Sequence, residues 1–380
     1  MEFSPQKNDY IDYLLSSVER INRISEKMYT TSETYMAALQ EDLDRNKAIY
    51  DTSKAVLIRD YGLSEKDFTD KRLQRAKDRL HPCSLAYVAS KRGTGKTTLA
   101  VTTGTILASK GWRVLTIDLD DLCNTTTNLG ISFHEITRFK HSSSDLFDPD
   151  LKDPSELVIR PFPKDLPTLS LIPSTFLLMN RERELNYILK NDPFIEARVL
   201  SRNLLRFKHY FDQFDYIVYD TKSSLSQVNE NCFAALDTMV FVTDTSLNSL
   251  VGLTTQLGYW RRVASDIRLV TPYNKCIVLN KLQNTNLDRE VYALLTGKKV
   301  YNDSKGRSQE IERLMLDSFG QLYKLFIDAP IRMKSAVKEV EKPSLPLVLN
   351  QTRATREAYM MFEALVNLLF DKGYLEIHEG

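Results

Sequence analysis

Cysteine is scarce in this chain of 380 residues and never paired: Cys83, Cys123, Cys232 and Cys276 stand far apart, with no C-x-x-C spacing. That argues against a disulfide framework and against the paired ligands of a zinc or iron–sulfur site, and predicts reduced thiols in a cytosol. Long apolar runs are also lacking, so no segment is expected to span a bilayer, and the polar start Met-Glu-Phe-Ser-Pro has no secretory character. Neither sign of charge dominates, with 51 Lys and Arg against 50 Asp and Glu. A net charge of +1 gives nucleic acid no bulk attraction, so any such contact would need a local basic patch. There is no internal repeat or low-complexity tract. What remains is globular: 42% hydrophobic residues and 17 Phe, in a chain long enough for one large α/β domain and a smaller module.

Residues 1–80 read as a separate helical module. Tyr10, Leu14, Val18, Ile21, Ile24 and Met28 recur at three- and four-residue steps and define one apolar helix face, suited to packing or dimerisation. Thr30-x-x-Glu33 is a capping box for a second helix running to about Ile49. A third helical stretch breaks at Gly62-Leu63-Ser64 and restarts toward Lys71, Arg72, Arg75, Lys77 and Arg79. Two readings fit it: a DNA-reading helix-turn-helix, or a plain helical hairpin with a solvated basic face.

From residue 81 to 380 strands alternate with helices. The predicted fold is α/β: a P-loop, doubly wound, mostly parallel sheet with helices on both faces, preceded by the helical module. The expected strands are 85–90, 113–118, 168–173, 215–220, 239–243, 275–280 and 325–328. The polar stretches 141–167 and 283–308 are expected to be surface excursions.

Leu85 to Thr98 carries the most chemistry. An apolar strand feeds a turn ending in Gly95-Lys96-Thr97, which opens a helix. That context makes a phosphate-binding loop, because N–H groups at a helix N-terminus face the anion and the helix dipole favours it. Lys96 would neutralise the outer phosphates and the Thr97 hydroxyl would ligate Mg²⁺. The ordinary pattern has Gly where Ser90 stands, and a second lysine, Lys91, lies inside the loop.

Lys91-Arg-Gly-Thr-Gly-Lys-Thr-Thr98 resembles the deviant Walker A loop, K-G-G-x-G-K-[ST]-[ST], of the ParA/MinD class of dimeric ATPases. The resemblance implies ATP and Mg²⁺ as cofactors, with Gly93, Thr94, Gly95, Lys96, Thr97 and Thr98 around the phosphates. It also implies that Lys91 reaches the partner protomer's ATP and, with Lys96, stabilises charge on the transferring phosphoryl group. Asp118-x-Asp120 followed by Asn124 is similar to switch I, which implies that Asp120 orients the attacking water and Asp118 supports the metal end. An Asp-rich turn capping a helix is the plainer reading of that stretch. Phe214 to Asp220 resembles Walker B, placing Asp220 with Thr97 at the metal.

Asn280 falls where the class meets adenine, and its amide offers one donor and one acceptor to that edge. Arg332 and Lys334, with Lys338, Lys342 and Arg353, fall where the class carries DNA-facing basic residues; a solvated face is the plainer reading. Four departures mark the chain: Arg92 for Gly, Asp121-Leu122 for Pro-Gln, and Lys222 and Ser223 for two prolines after Asp220.

The function implied by the resemblance is a DNA-partition ATPase. It would dimerise with ATP, bind non-specific double-stranded DNA and hydrolyse ATP weakly unless stimulated by a ParB-like centromere-binding protein. It would work in a bacterial cytoplasm at the nucleoid, and the N-terminal module would repress its own operon. Two alternatives stay open: a MinD-like positioning ATPase, which the acidic C-terminal Glu376 to Glu379 stretch disfavours on anionic lipid, and a nucleotide-binding regulator with little turnover.

Overall fold

A computed structural model of the chain describes residues 13–14, 17, 33–61, 82–189, 199–266, 274–296, 325–333, 345–350 and 352–375. The chain divides into two compact units: residues 1–79 with 261–270, and residues 80–260 with 271–380.

In the first unit one helix, Glu33–Tyr61, runs for 29 residues. It continues past Ile49, where the second helix was expected to end. No Gly or Pro stands between Ile49 and Tyr61 to stop it, and Gly62 follows at once. Ser53 and Leu57, four residues apart, are buried on one face. The Thr30 capping box, the Gly62–Arg79 hairpin and most of the first apolar face lie outside the described residues.

The second unit holds seven strands: β1 Cys83–Val88, β2 Val114–Leu119, β3 Leu169–Ile172, β4 Tyr216–Thr221, β5 Thr238–Thr243, β6 Asn274–Leu279 and β7 Phe326–Ile327. Each lies within two residues of its expected place. All pairings are parallel, in the order β3-β2-β4-β1-β5-β6-β7. Every position of β1 to β5 is buried, so helices and loops cover both faces, as a parallel sheet requires.

The helix Lys96–Ser109 follows β1 and packs across β1, β2, β3 and β4. The closing helix Arg353–Asp371 covers it, presenting Ala358, Phe362, Leu365, Val366 and Leu369 at helical spacing. Trp112 and Phe370 close the end of this layer edge-on against Tyr216, with ring centroids 5.6 and 5.9 Å away.

Two expectations are corrected. Stretch 141–167 is not a surface excursion throughout: Ser142 and Asp153 cap short 3-10 turns that bury Leu146, Phe147 and Leu157. Its apolar residues have more to gain from burial than its polar ones lose, because the caps satisfy the backbone. Stretch 283–308 contains the helix Asn286–Leu295, begun by a reciprocal Thr285–Asp288 cap; residues 297–308 lie outside the described residues.

Candidate functional site

The sheet brings the chemistry-bearing residues to one edge. β1, β2 and β4 are neighbours and run the same way, so the loops after Val88, Leu119 and Thr221 leave together at their C-terminal ends. Open α/β sheets bind ligands at this edge. Asp118 and Asp220 are register partners on β2 and β4, which puts both carboxylates side by side beneath the phosphate loop.

The loop itself is shaped for an anion. Gly95 takes φ +93° at the start of its helix, and no side chain caps the free N–H groups there. No acidic residue occupies the first turn. These donors remain available to an anionic ligand. A Cβ on Gly95 would lie 2.1 Å from Asn280 Nδ2, so the loop and β6 approach more closely than any side chain allows. Asn280 Nδ2 donates to the Thr94 carbonyl at 2.6 Å, and its Oδ1 accepts from Lys281 N–H at 2.8 Å. The Asn280 amide thereby braces the phosphate loop. Lys281 beside it takes φ +58°, a strained value for a side-chain-bearing residue.

The lost glycine at Ser90 has a structural answer. Gly252, on the helix Leu247–Asp266, faces it, and a Cβ there would lie 2.2 Å from Ser90 Oγ. Removing a side chain from the helix makes room for the hydroxyl in the loop. Arg92 raises no conformational difficulty, since Cys123 and Lys281 are the non-glycine residues with positive φ among those described. Its side chain is exposed.

Lys96 is 6% exposed, and its Nζ donates to Ser223 Oγ at 2.6 Å. Burial pushes its amine below the ordinary lysine range, while Asp220 and Asp120 oppose that shift. The Thr97 and Thr125 hydroxyls donate to Asp220 Oδ2 at 2.8 and 2.9 Å. Asp220 Oδ1 is buried with no partner. Burial raises Asp220 to about 6, although Lys96 and the two hydroxyls pull it down. Burial, and then the neighbouring Asp220, raise Asp118 well above the usual carboxylate range.

Asp118 uses both oxygens on its own loop. Oδ2 accepts from the Thr126 N–H and hydroxyl, at 2.9 and 2.7 Å, and Oδ1 accepts from Asp120 N–H at 3.1 Å. Asp120 is half-buried, and burial raises its carboxyl. Asp220 and Asp120 thus flank one lysine, and one buried oxygen of Asp220 is unsatisfied. This donor set fits a divalent cation with its phosphates: Thr97 and Asp220 Oδ1 would hold it, while Asp118 shapes the loop that carries Asp120.

Lys91 lies outside this cluster. Its Nζ donates to Asp244 Oδ2 at 3.0 Å and to Ser246 Oγ at 2.9 Å, on the turn after β5. Gly93, Thr94 and Thr98 lie in the loop and its first helical turn, with Thr94 and Thr98 buried. Arg332 is exposed and bridges Leu282 through its backbone. Arg353 is exposed at the closing helix, and Lys334 lies outside the described residues. Sequence reading did not foresee the parts played by Thr125, Thr126, Ser223, Gly252 and Asp244. Small hydroxyls after β2, the first of the two Asp-ended strands, were the available signal for the first two.

Residues 84–269 match a family model described as AAA domain. The sporulation initiation inhibitor protein Soj of Bacillus subtilis is 31% identical over 180 residues, covering 47% of this chain and 65% of that protein. The virulence plasmid ParA family protein pGP5-D of Chlamydia psittaci is 29% identical, covering 45% and 60%. The chromosome partitioning protein ParA of Caulobacter vibrioides is 30% identical, covering 48% and 64%. The chain therefore spans under two thirds of the length of these relatives. In fold it is similar to McdA of Cyanothece in complex with ATP, with TM-score 0.57, 18% identity and coverage of 79% of this chain and all of that one. It is also similar to a putative plasmid partition protein of Borrelia burgdorferi bound to AMPPNP, with TM-score 0.54, 18% identity and coverage of 77% and 99%.

Proposed function

We propose that residues 84–269, which match an AAA domain model and are similar in sequence to ParA proteins, form a ParA-type P-loop domain, and that the chain is an ATP-dependent partition switch. It binds ATP with Mg²⁺, pairs with a second copy, holds non-specific double-stranded DNA in that state, and releases it on hydrolysis. A ParB-like centromere-binding protein speeds the hydrolysis, and the helical module at residues 1–80 represses the operon.

The observation that carries this reading is the cluster of an uncapped helix N-terminus, Lys96, and the Thr97–Asp220 contact with its unsatisfied oxygen. A bound Mg²⁺ would supply charge neutralisation on the phosphates. The chain's own groups do the rest. The loop N–H groups orient the phosphates, and Lys96 balances their charge. Asp120, beside them, holds a water in line for attack. The ligands in two fold-alike proteins, ATP and AMPPNP, agree with this choice of nucleotide.

The test is binding to random-sequence duplex DNA without nucleotide, with ADP and with ATP–Mg²⁺, across a salt series. Binding gained only with ATP, with affinity falling steeply as salt rises, is the expected result. Equal or absent binding in all three states would discard the DNA switch in favour of the low-turnover regulator or the positioning ATPase.

A further inference from the structure

Two departures from the ParA pattern meet in space. Asp121 stands for a proline in the loop after β2, and Lys222 for the first of two prolines in the loop after β4. Lys222 Nζ lies 3.1 Å from Asp121 Oδ2 and 2.6 Å from Glu182 Oε2, on the helix Leu177–Leu189. The Lys222 side chain is 9% exposed and each carboxylate side chain 19%, so water and salt screen the cluster little.

Prolines would stiffen each loop separately by fixing φ. Here the two loops are tied to each other instead. Ser223, at the second lost proline, receives Lys96 Nζ, and Asn229 Nδ2 donates to the carbonyls of Lys222 at 2.9 Å and Ser224 at 2.7 Å. The phosphate loop, the Asp120 loop, the 220–226 loop and the Glu182 helix are thereby joined through contiguous polar contacts.

We propose that Lys222 is a positioning residue: through Asp121 it clamps the Asp120 loop to the 220–226 loop, with Glu182 as the anchor. Its effect on turnover rests on the ATPase reading above; the clamp itself does not. Removing the cation leaves Asp121 and Glu182 as like charges in a poorly screened space, which drives the Asp120 loop outward.

The full chain and its Lys222→Met, Lys222→Arg, Asp121→Asn and Asp121→Asn/Lys222→Met variants would be compared by amide hydrogen exchange without nucleotide and by steady-state ATP hydrolysis. Lys222→Met is expected to speed exchange across residues 120–126 by about 10-fold or more, leaving β1 unchanged, and Lys222→Arg to restore protection. In hydrolysis, kcat falls about 10-fold at near-constant KM, and the double variant is no slower than Lys222→Met, because both changes break one contact. Unchanged exchange in folded Lys222→Met overturns the clamp. Faster exchange with unchanged kcat overturns the positioning role. If the parent chain hydrolyses no ATP, the ATPase reading falls while exchange still decides the clamp. Should Lys222→Met fail to fold, Asp121→Asn supplies the exchange readout, since it keeps the Lys222–Glu182 pair.

Discussion

At the scale of single residues, Lys96 and Asp120 share one electrostatic neighbourhood yet should fail in different ways. Lys96 is the buried cation beside Asp220 and Asp120, so Lys96→Ala leaves the phosphate charge without its main partner. The expected outcome in isothermal titration is loss of ATP binding, with an unchanged far-ultraviolet circular dichroism spectrum. Asp120→Ala keeps the loop and Thr97 intact, so ATP binds within about 3-fold of the parent while hydrolysis drops about 100-fold or more. An alanine variant hydrolysing at the parent rate would remove Asp120 from the water-orienting role. The residues gathered at the loop after β1 were legible in sequence because a phosphate site would dictate them: Gly95 for its left-handed φ, Lys96 for charge, and Asp220 at a strand end. The Asn280 contact with the Thr94 carbonyl and the room made for Ser90 were not. Their placement depends on a loop-to-β6 approach and on a missing side chain at Gly252, contacts between segments far apart in the chain.

Among elements, the seven strands could be read from apolar runs bounded by polar turns, since a parallel sheet buried on both faces leaves few alternatives. The helix Asn286–Leu295 was hidden because Asn, Asp and Lys around it resemble a loop. Its start was written in Thr285-x-x-Asp288. Asp288 also accepts from the Thr245 hydroxyl, tying this helix to the turn after β5 that holds Lys91. Burial pushes the Asp288 carboxyl up, but the hydrogen bonds from Thr245, Thr285 and Gln283 outweigh it and hold it below the usual range. Asp288→Asn should cost about 1–2 kcal/mol in urea unfolding at neutral pH, as a lost helix cap does. The sign with pH follows from the depressed folded value. The stabilisation is full above the unfolded value of about 4 and is lost as pH falls through the folded one. The gap between parent and variant should therefore narrow below about pH 4. A gap constant with pH would show that the carboxylate charge contributes nothing.

For the molecule as a whole, the exposed apolar side chains are as informative as the polar site. Leu122 follows β2, Phe176 and Leu177 follow β3, and Leu225 follows β4; all are between 47% and 52% exposed. The Phe133 ring meets Phe176 edge-on at 5.8 Å and is 62% exposed. β3, β2 and β4 are adjacent and parallel, so these residues emerge at the same C-terminal edge as the phosphate loop. Clustered exposed apolar groups beside a charged site are suited to burial against another protein surface. Under the proposed function that surface is a second copy carrying ATP. The Lys91 ion pair with Asp244 is compatible with such a change: at 39% side-chain exposure of the lysine, it is worth no more than about 1 kcal/mol and is easily exchanged for a partner's phosphate. Leu225→Glu tests the idea without touching the phosphate contacts, because Leu225 is exposed and lies outside the Lys222 cluster. In sedimentation with a non-hydrolysable ATP analogue and Mg²⁺, the parent should dimerise and Leu225→Glu should remain monomeric, while nucleotide affinity measured on monomer stays within about 3-fold, since a buried glutamate at the contact is costly. A variant that dimerises like the parent would place the nucleotide-dependent contact away from this edge, and with it the expected reach of Lys91.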